Sequence, residues 1–250
     1  MEIGSVILAA GNSKRMNSAI PKVIHPLLGK PLISYAITSA KAVATMPPVV
    51  VVGYERDKVM EVVHDEVHFA VQKEQLGTAH AVMMAEPYLA KKADMILITS
   101  ADMPLISAEM LRTLVEVQAK NKGPLSLVSV HADEARGFGR LIRDEAGNAQ
   151  AIVEEKVATE EQLKIHEYNA GIYCVKNDWL WDVLKKIKKS SVGEYFLTDL
   201  LALAVQNGEN VSILTLANSE EAMGINNRIH LAEVEKVMRR RSMKNLCLLA

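Results

Sequence analysis

The residues most able to do chemistry sit in two short stretches, each directly after an apolar run. Residues 6–9 lead into Ala10-Gly11-Asn12-Ser13-Lys14-Arg15-Met16, with Pro21-Lys22 close behind. Residues 95–99 lead into Ser100-Ala101-Asp102-Met103-Pro104. Small residues after a strand let backbone N–H groups approach a polyphosphate closely. Arg15 and Lys22 could supply the fixed cations such a ligand needs, the arginine through a bidentate contact. One carboxylate, here Asp102, completed by phosphate oxygens and water, is a normal way to hold Mg²⁺. The loop contains neither GxxxxGK[ST] nor GxGxxG. Taken alone, each stretch also reads as ordinary structure: a tight βα turn with solvated charges, and a helix-capping or solvated aspartate.

Other chemistries find less support. None of the seven histidines (His25, His64, His68, His80, His131, His166 and His230) forms an HxH or HExxH arrangement. His64 and His68 are spaced as HxxxH, but His68 reads as the start of a strand, which splits the pair. The histidines are therefore expected to be mostly surface or packing residues. Ser13 and Ser100 lack the GxSxG elbow of a serine hydrolase. The two cysteines, Cys174 and Cys247, have no CxxC or CxxH spacing, which argues against zinc or a disulfide framework and fits a reducing cytoplasm. A formal net charge of −1 exerts no global pull on nucleic acid or an acidic membrane. The run Arg239-Arg240-Arg241, with aromatic content of only 4%, is expected to be a solvated helix end and not a nucleic-acid contact. No stretch approaches the roughly 20 apolar residues of a membrane span, and the start of the chain lacks a basic n-region, so the expectation is cytoplasmic.

The elements that must position these groups alternate between short apolar runs and helix-period segments. That pattern predicts an α/β fold: a Rossmann-like, mostly parallel sheet flanked by helices. Strands are expected at 6–9, 49–52, 68–71, 95–99 and 125–130, with continuous apolar character suited to burial on both faces. Helices are expected from Pro31 onward, at 55–63, at 77–89, and after Ser107 as an N-cap. Beyond about residue 136 the pattern becomes mixed, with a hairpin of 138–143 and 149–153 turning at Gly147-Asn148. A strand at 168–175 and helices at 179–187 and 195–206 follow. The expected organisation is one domain over 1–225, made of a nucleotide-binding half (1–135) and a mixed sugar-binding half (136–225), then a terminal helix over 226–250.

The string LAAGNSKRMNSAIPKVIHPLLGKPLISYAI resembles the L-A-A-G-x-G-T-R-M…P-K signature of sugar nucleotidyltransferases. In particular it is similar to the uridylyltransferase part of the bacterial bifunctional N-acetylglucosamine-1-phosphate uridylyltransferases. Residues 71–80, VQKEQLGTAH, resemble that family's Q-x-x-Q-L-G-T-x-H segment, and residues 102–106 its D-x-P-L-I metal motif. Gly137-Phe138-Gly139-Arg140, Ile152-Val153-Glu154, Asn169-Ala170-Gly171, the stretch from Gly193-Glu194-Tyr195 to Thr198-Asp199, and Gly224-Ile225-Asn226-Asn227-Arg228 follow in the family's order. Several ordered motifs along most of the chain are far more specific than any one.

The resemblance implies attack of a sugar 1-phosphate oxygen on the α-phosphorus of a nucleoside triphosphate, with pyrophosphate leaving. It implies UTP and N-acetylglucosamine 1-phosphate as small-molecule substrates, with no nucleic-acid or membrane partner, and Mg²⁺ as cofactor, held by Asp102 and Asn226. Arg15 and Lys22 would neutralise the phosphates. Leu8, Ala9, Ala10, Gly11, Gln72, Gly77, Thr78, Ser100, Ala101 and Asp102 would hold the nucleotide; Gly139, Glu154, Asn169 and Asn226 would hold the sugar. Read as an isolated residue, Asn226 is a helix N-cap, and the two duties are compatible. The pattern departs at Ser13 and Lys14, which replace the loop's second glycine and threonine, and at Ser100-Ala101, which replace an aromatic and a glycine. The last departure leaves room for another nucleotide or sugar phosphate, and a non-catalytic sugar-nucleotide sensor is the reading from a different class. The chain has none of the hexapeptide repeats with which the bifunctional family continues.

Overall fold

A computed structural model describes residues 1–12 and 14–248, the side chains of Lys14 and of residues 244–248 excepted. The expectations for Ser13 and for the Cys247 thiol therefore lie outside the described residues. Strand β1 (Ile3–Ala9) is followed by a small antiparallel pair, β2 (Pro26–Leu27) and β3 (Lys30–Pro31), and by helix α1 (Leu32–Lys41). The chain continues through β4 (Val49–Val52), α2 (Arg56–Val62), β5 (His68–Val71), α3 (Thr78–Met83), α4 (Glu86–Leu89), β6 (Met95–Ser100) and α5 (Ala108–Lys120). Then come β7 (Leu125–His131), β8 (Arg140–Arg143), β9 (Ala149–Val153), α6 (Glu160–Leu163) and β10 (Glu167–Lys176). Helices α7 (Asn177–Leu184) and α8 (Asp199–Gln206), strand β11 (Val211–Leu216) and helix α9 (Arg228–Leu248) complete the chain.

The described strands form a sheet in the order β11-β7-β10-β6-β1-β4-β5, with β8 and β9 attached beside β10. The β5-β4-β1-β6 part is parallel, whereas β10 runs antiparallel to both β6 and β7. The sheet is thus an α/β sheet, parallel in its N-terminal part and mixed beyond. Its side chains sort by the two-residue period of a strand. Val49 and Val51 pack toward α3, α7 and α8, while Val50 and Val52 pack toward α1 and α2. Burial on both faces is why these runs are continuously apolar.

From β1 the chain moves outward to β4 and β5, then returns to the other side of β1 as β6. The order reverses between β1 and β6, and a crevice at such a reversal, beyond the strands' carboxyl ends, is where open α/β sheets bind ligands.

Several boundaries shift by one to three residues from the sequence expectation, and three differences are larger. The helix expected over 77–89 is two helices, because the Pro87 ring would collide with the Met83 carbonyl and ends α3 there. The helix expected from residue 195 starts at Asp199, since the Tyr195 backbone is bonded to Leu76 and Ala79. Strand β11 was not expected; it pairs in parallel with β7, Val211 beside Leu125. Ser107 caps α5 as expected, its side chain accepting from Met110 N–H at 3.1 Å.

Candidate active site

The crevice is built by the loops that leave β1 and β6. Ala101 N–H donates to the Leu8 carbonyl at 3.0 Å, tying the two strand ends together. A Cβ on Gly11 would meet nothing within 4 Å, so the loop's outer side is open to a ligand. Beyond it a single turn places fully buried Met16 inside and Arg15 outside. The Arg228 guanidinium clamps this turn, donating to the carbonyls of Met16 at 3.0 Å and Asn17 at 3.1 Å. A second short turn, Lys22–Ile24, buries Val23 and presents Lys22.

Four side chains far apart in sequence converge there. Lys22 Nζ lies 2.5 Å from Asp102 Oδ2 and 3.5 Å from Asn226 Oδ1. Arg15 Nη2 donates to the same Asn226 oxygen at 2.9 Å, while Asn226 Nδ2 donates to the Arg136 carbonyl at 3.0 Å. The Ser100 hydroxyl donates to Asp102 Oδ1 at 2.6 Å. Ile225 N–H donates to the Asp102 carbonyl at 2.9 Å, which brings the Asn226 segment to the end of β6. Burial alone would raise the Asp102 carboxyl, but the Lys22 charge and the hydrogen bonds from Lys22 and Ser100 outweigh it and hold the group below the ordinary carboxylate range. The helix-cap expectation for Asn226 is corrected: Asn227 Oδ1 accepts from His230 N–H at 2.8 Å at the start of α9, leaving the Asn226 side chain in the crevice.

Farther along the same edge, Gln72 is buried at the end of β5, its Nε2 3.0 Å from both the Gly77 carbonyl and His80 Nδ1. Thr78 Oγ1 accepts from Leu197 N–H at 2.9 Å. On the mixed side of the sheet, Thr198 Oγ1 donates to Glu154 Oε1 at 3.1 Å. Burial pushes the Glu154 carboxyl upward, and the Thr198 hydrogen bond and the Lys156 charge only partly oppose it. Asn169 receives its place from β8 and β10: its N–H donates to the Gly139 carbonyl at 2.9 Å, and its Nδ2 donates to the Tyr173 hydroxyl at 2.6 Å. Gly139 has no room for a side chain, since a Cβ would sit 2.8 Å from Ile152 Cγ2.

Residues 5–181 match the family described as the MobA-like NTP transferase domain. The chain belongs to this family. It is therefore a nucleotidyltransferase, and the cluster of cations, carboxylate and amide at the β1/β6 crevice is chemistry of the kind that handling a triphosphate requires. The chain is 40% identical over 239 residues to the bifunctional protein GlmU of Exiguobacterium sibiricum, covering 95% of this chain and 53% of the relative. It is 44% identical over 241 residues to that of Caldanaerobacter subterraneus, covering 96% and 52%. The GlmU of Pelotomaculum thermopropionicum is 41% identical over 247 residues, covering 98% and 54%. The chain thus spans about half the length of the curated relatives it matches.

Within this nucleotidyltransferase the structure brings Arg15, Lys22, Ser100, Asp102 and Asn226 into one network, with Leu8, Ala9, Ala10, Gly11 and Ala101 as its backbone frame. Gln72, Gly77 and Thr78 form a second group, and Gly139, Glu154 and Asn169 lie on β8, β9 and β10 or at their ends. Sequence reasoning gave no role to His80, Arg136, Thr198 or Arg228. His80, Thr198 and Arg228 stand inside the family motifs, but only the fold shows what they touch. The basic run on α9 is paired with its own chain: Arg239 with Glu235, Arg240 with Glu220, and Arg241 with the Leu105 carbonyl. No described helix is long and apolar enough to cross a membrane, and the buried Cys174 thiol is pushed up to about 12 by burial.

Proposed function

We propose that the chain is a Mg²⁺-dependent uridylyltransferase forming UDP-N-acetylglucosamine and pyrophosphate from UTP and N-acetylglucosamine 1-phosphate. The observation that carries the reading is the convergence of Arg15, Lys22, Asp102 and Asn226 at the point where the sheet order reverses. The motifs for Gln72, Glu154 and Asn169 support the uracil and acetamido-sugar assignments.

The donor set fits a hard divalent cation. An ammonium group, Lys22 Nζ, lies between the Asp102 carboxylate and the Asn226 amide oxygen, so both oxygens already face one positive centre. Mg²⁺ bound by few protein oxygens, with phosphates and water completing its shell, needs no more than this. Asp102 and Asn226 would hold it. When bound, it would polarise the phosphate oxygens and offset charge on the leaving pyrophosphate.

The chain's own groups then have defined tasks. Transfer at an α-phosphorus requires little proton movement, so positioning and charge neutralisation supply most of the rate. Arg15 holds phosphate oxygens through its planar fork, and Lys22 follows the charge that builds on pyrophosphate. Gly11 admits the phosphates by offering no side chain. Gln72, Gly77 and Thr78 hold the base. Gly139, Glu154 and Asn169 orient the acetamido sugar so that its phosphate oxygen lies in line with the leaving group.

The test is a substrate panel. Purified protein with Mg²⁺ is given each common nucleoside triphosphate and several sugar 1-phosphates, and pyrophosphate release and nucleotide-sugar mass are measured. UDP-N-acetylglucosamine from UTP and N-acetylglucosamine 1-phosphate, lost with EDTA, is the expected result. A preference for another pair would reject the substrate assignment, and nucleotide-sugar binding without turnover would favour the sensor.

A further inference from the structure

Gln72 is held at both ends. Its backbone N–H donates to the Val52 carbonyl at 2.8 Å, and the residue is only 3% exposed. Its side-chain Nε2 lies 3.0 Å from the Gly77 carbonyl and 3.0 Å from His80 Nδ1. A carbonyl oxygen can only accept, so the end of the amide that faces Gly77 must be the NH₂ group. The second hydrogen of that nitrogen then points at His80, whose Nδ1 must carry a lone pair, with the ring hydrogen on Nε2. The Gly77 carbonyl cannot retreat. Its residue has φ of +106°, and a Cβ there would collide with the Tyr195 backbone. Tyr195 in turn is bonded to Leu76 at 2.7 Å and to Ala79 at 3.0 Å. His80 is equally fixed, as a residue of α3. Both hydrogens of the Gln72 amide are thus committed. Its Oε1 makes no hydrogen bond among the described residues and is the one polar side-chain atom left to meet a ligand.

We propose that His80 is a positioning residue that fixes Gln72 as a pure acceptor and thereby selects a nucleobase with a ring N–H, uracil over cytosine. The inference rests on the proposed function, in that Gln72 faces the base. Uracil N3–H donates to Oε1, whereas cytosine N3 presents a lone pair to the same oxygen. A site that leaves a buried polar group facing its like discriminates strongly. Without the imidazole, Gly77 alone opposes a flip of the amide, so the orientation in which Nε2 faces the base costs one hydrogen bond less to reach than in the wild type.

The experiment is calorimetric binding of UDP and of CDP, with Mg²⁺, to the wild-type chain and to the His80→Ala and His80→Asn variants. The asparagine offers an acceptor close to the place of Nδ1. The wild type should prefer UDP; His80→Ala should lose about tenfold of that preference, the scale of one net hydrogen bond, and His80→Asn should restore it. An unchanged UDP-to-CDP ratio in His80→Ala overturns the proposal, and so does equal weakening of both nucleotides, which is what mere loss of packing would give. A wild type that binds the two alike also overturns it, and leaves nucleotidyl transfer standing. Because no sugar phosphate is added, a shifted ratio in a chain that makes no UDP-N-acetylglucosamine would count against the sugar assignment alone.

Discussion

Asp102 and Glu154 are carboxylates from the two halves of one sheet, and their surroundings move them in opposite directions. At the end of β6 burial raises Asp102, but Lys22 and Ser100 more than reverse it and keep the group ionised. At the end of β9 burial raises Glu154, and one hydroxyl and a lysine charge do not reverse it. The first region is a compensated ionic cluster, in which the Asp102 carboxylate is matched by the Lys22 ammonium. In the second, Glu194 and Asp199 add to the effect of burial, and the carboxyl accepts a hydroxyl hydrogen bond in place of a direct cation. One sheet thus carries two carboxylates held in opposite protonation tendencies, the contrast that the proposed division between phosphate charge and sugar ring would use.

The contrast can be broken most severely at the ionic end. Asp102→Ala should lower turnover by about 10²-fold or more, because both the proposed metal ligand and the partner of Lys22 are lost; steady-state pyrophosphate release reads this directly. Lys22→Ala should cost roughly tenfold or more in turnover at saturating substrate, the scale of a charge-stabilising group. Wild-type turnover in that variant would remove its assigned role.

At the neutral end the sign of the pH dependence is the sharper test. A carboxyl raised in the folded state binds its proton more tightly there than in the unfolded chain. Its stabilising contribution is present below the ordinary carboxylate pKa and is lost as pH rises through the folded value. Glu154→Gln should therefore match the wild type in acid and be the more stable protein near neutrality. Asp102, lowered in the fold, has the opposite dependence: its contribution is present above the ordinary carboxylate pKa and lost as pH falls. Thermal melting from about pH 2 to pH 8 separates the two signs, Asp102 below the ordinary carboxylate range and Glu154 above it. The smallest effect belongs outside both regions. Ser107→Ala removes the cap of α5 and should cost about 1 kcal/mol of stability with no change in KM for either substrate.

The ionic region was legible because its elements announce themselves locally. The apolar runs of β1 and β6 each end in small and charged residues, and a strand's carboxyl end in an α/β sheet is where such residues gather. What the sequence left open was settled by distant contacts. Asn226 and Asn227 are adjacent and chemically identical, and only the docking of α9 decides which caps the helix and which faces Lys22. Strand β11 is a half-buried run whose state is fixed by pairing with β7. The partners of Gln72 and Glu154, His80 and Thr198, gain meaning only when strand ends meet the first turn of a helix. The break at Pro87 was a local signal and could have been read.

Transfer at the α-phosphorus inside the β1/β6 crevice is open to one labelling measurement. UTP carrying ³²P at the α position is incubated with N-acetylglucosamine 1-phosphate, Mg²⁺ and the protein, and the products are separated. The label should appear in UDP-N-acetylglucosamine, with pyrophosphate released unlabelled, in the wild type and not in Asp102→Ala. Labelled nucleotide sugar formed equally by both proteins would place the chemistry elsewhere on the chain and contradict transfer in the crevice.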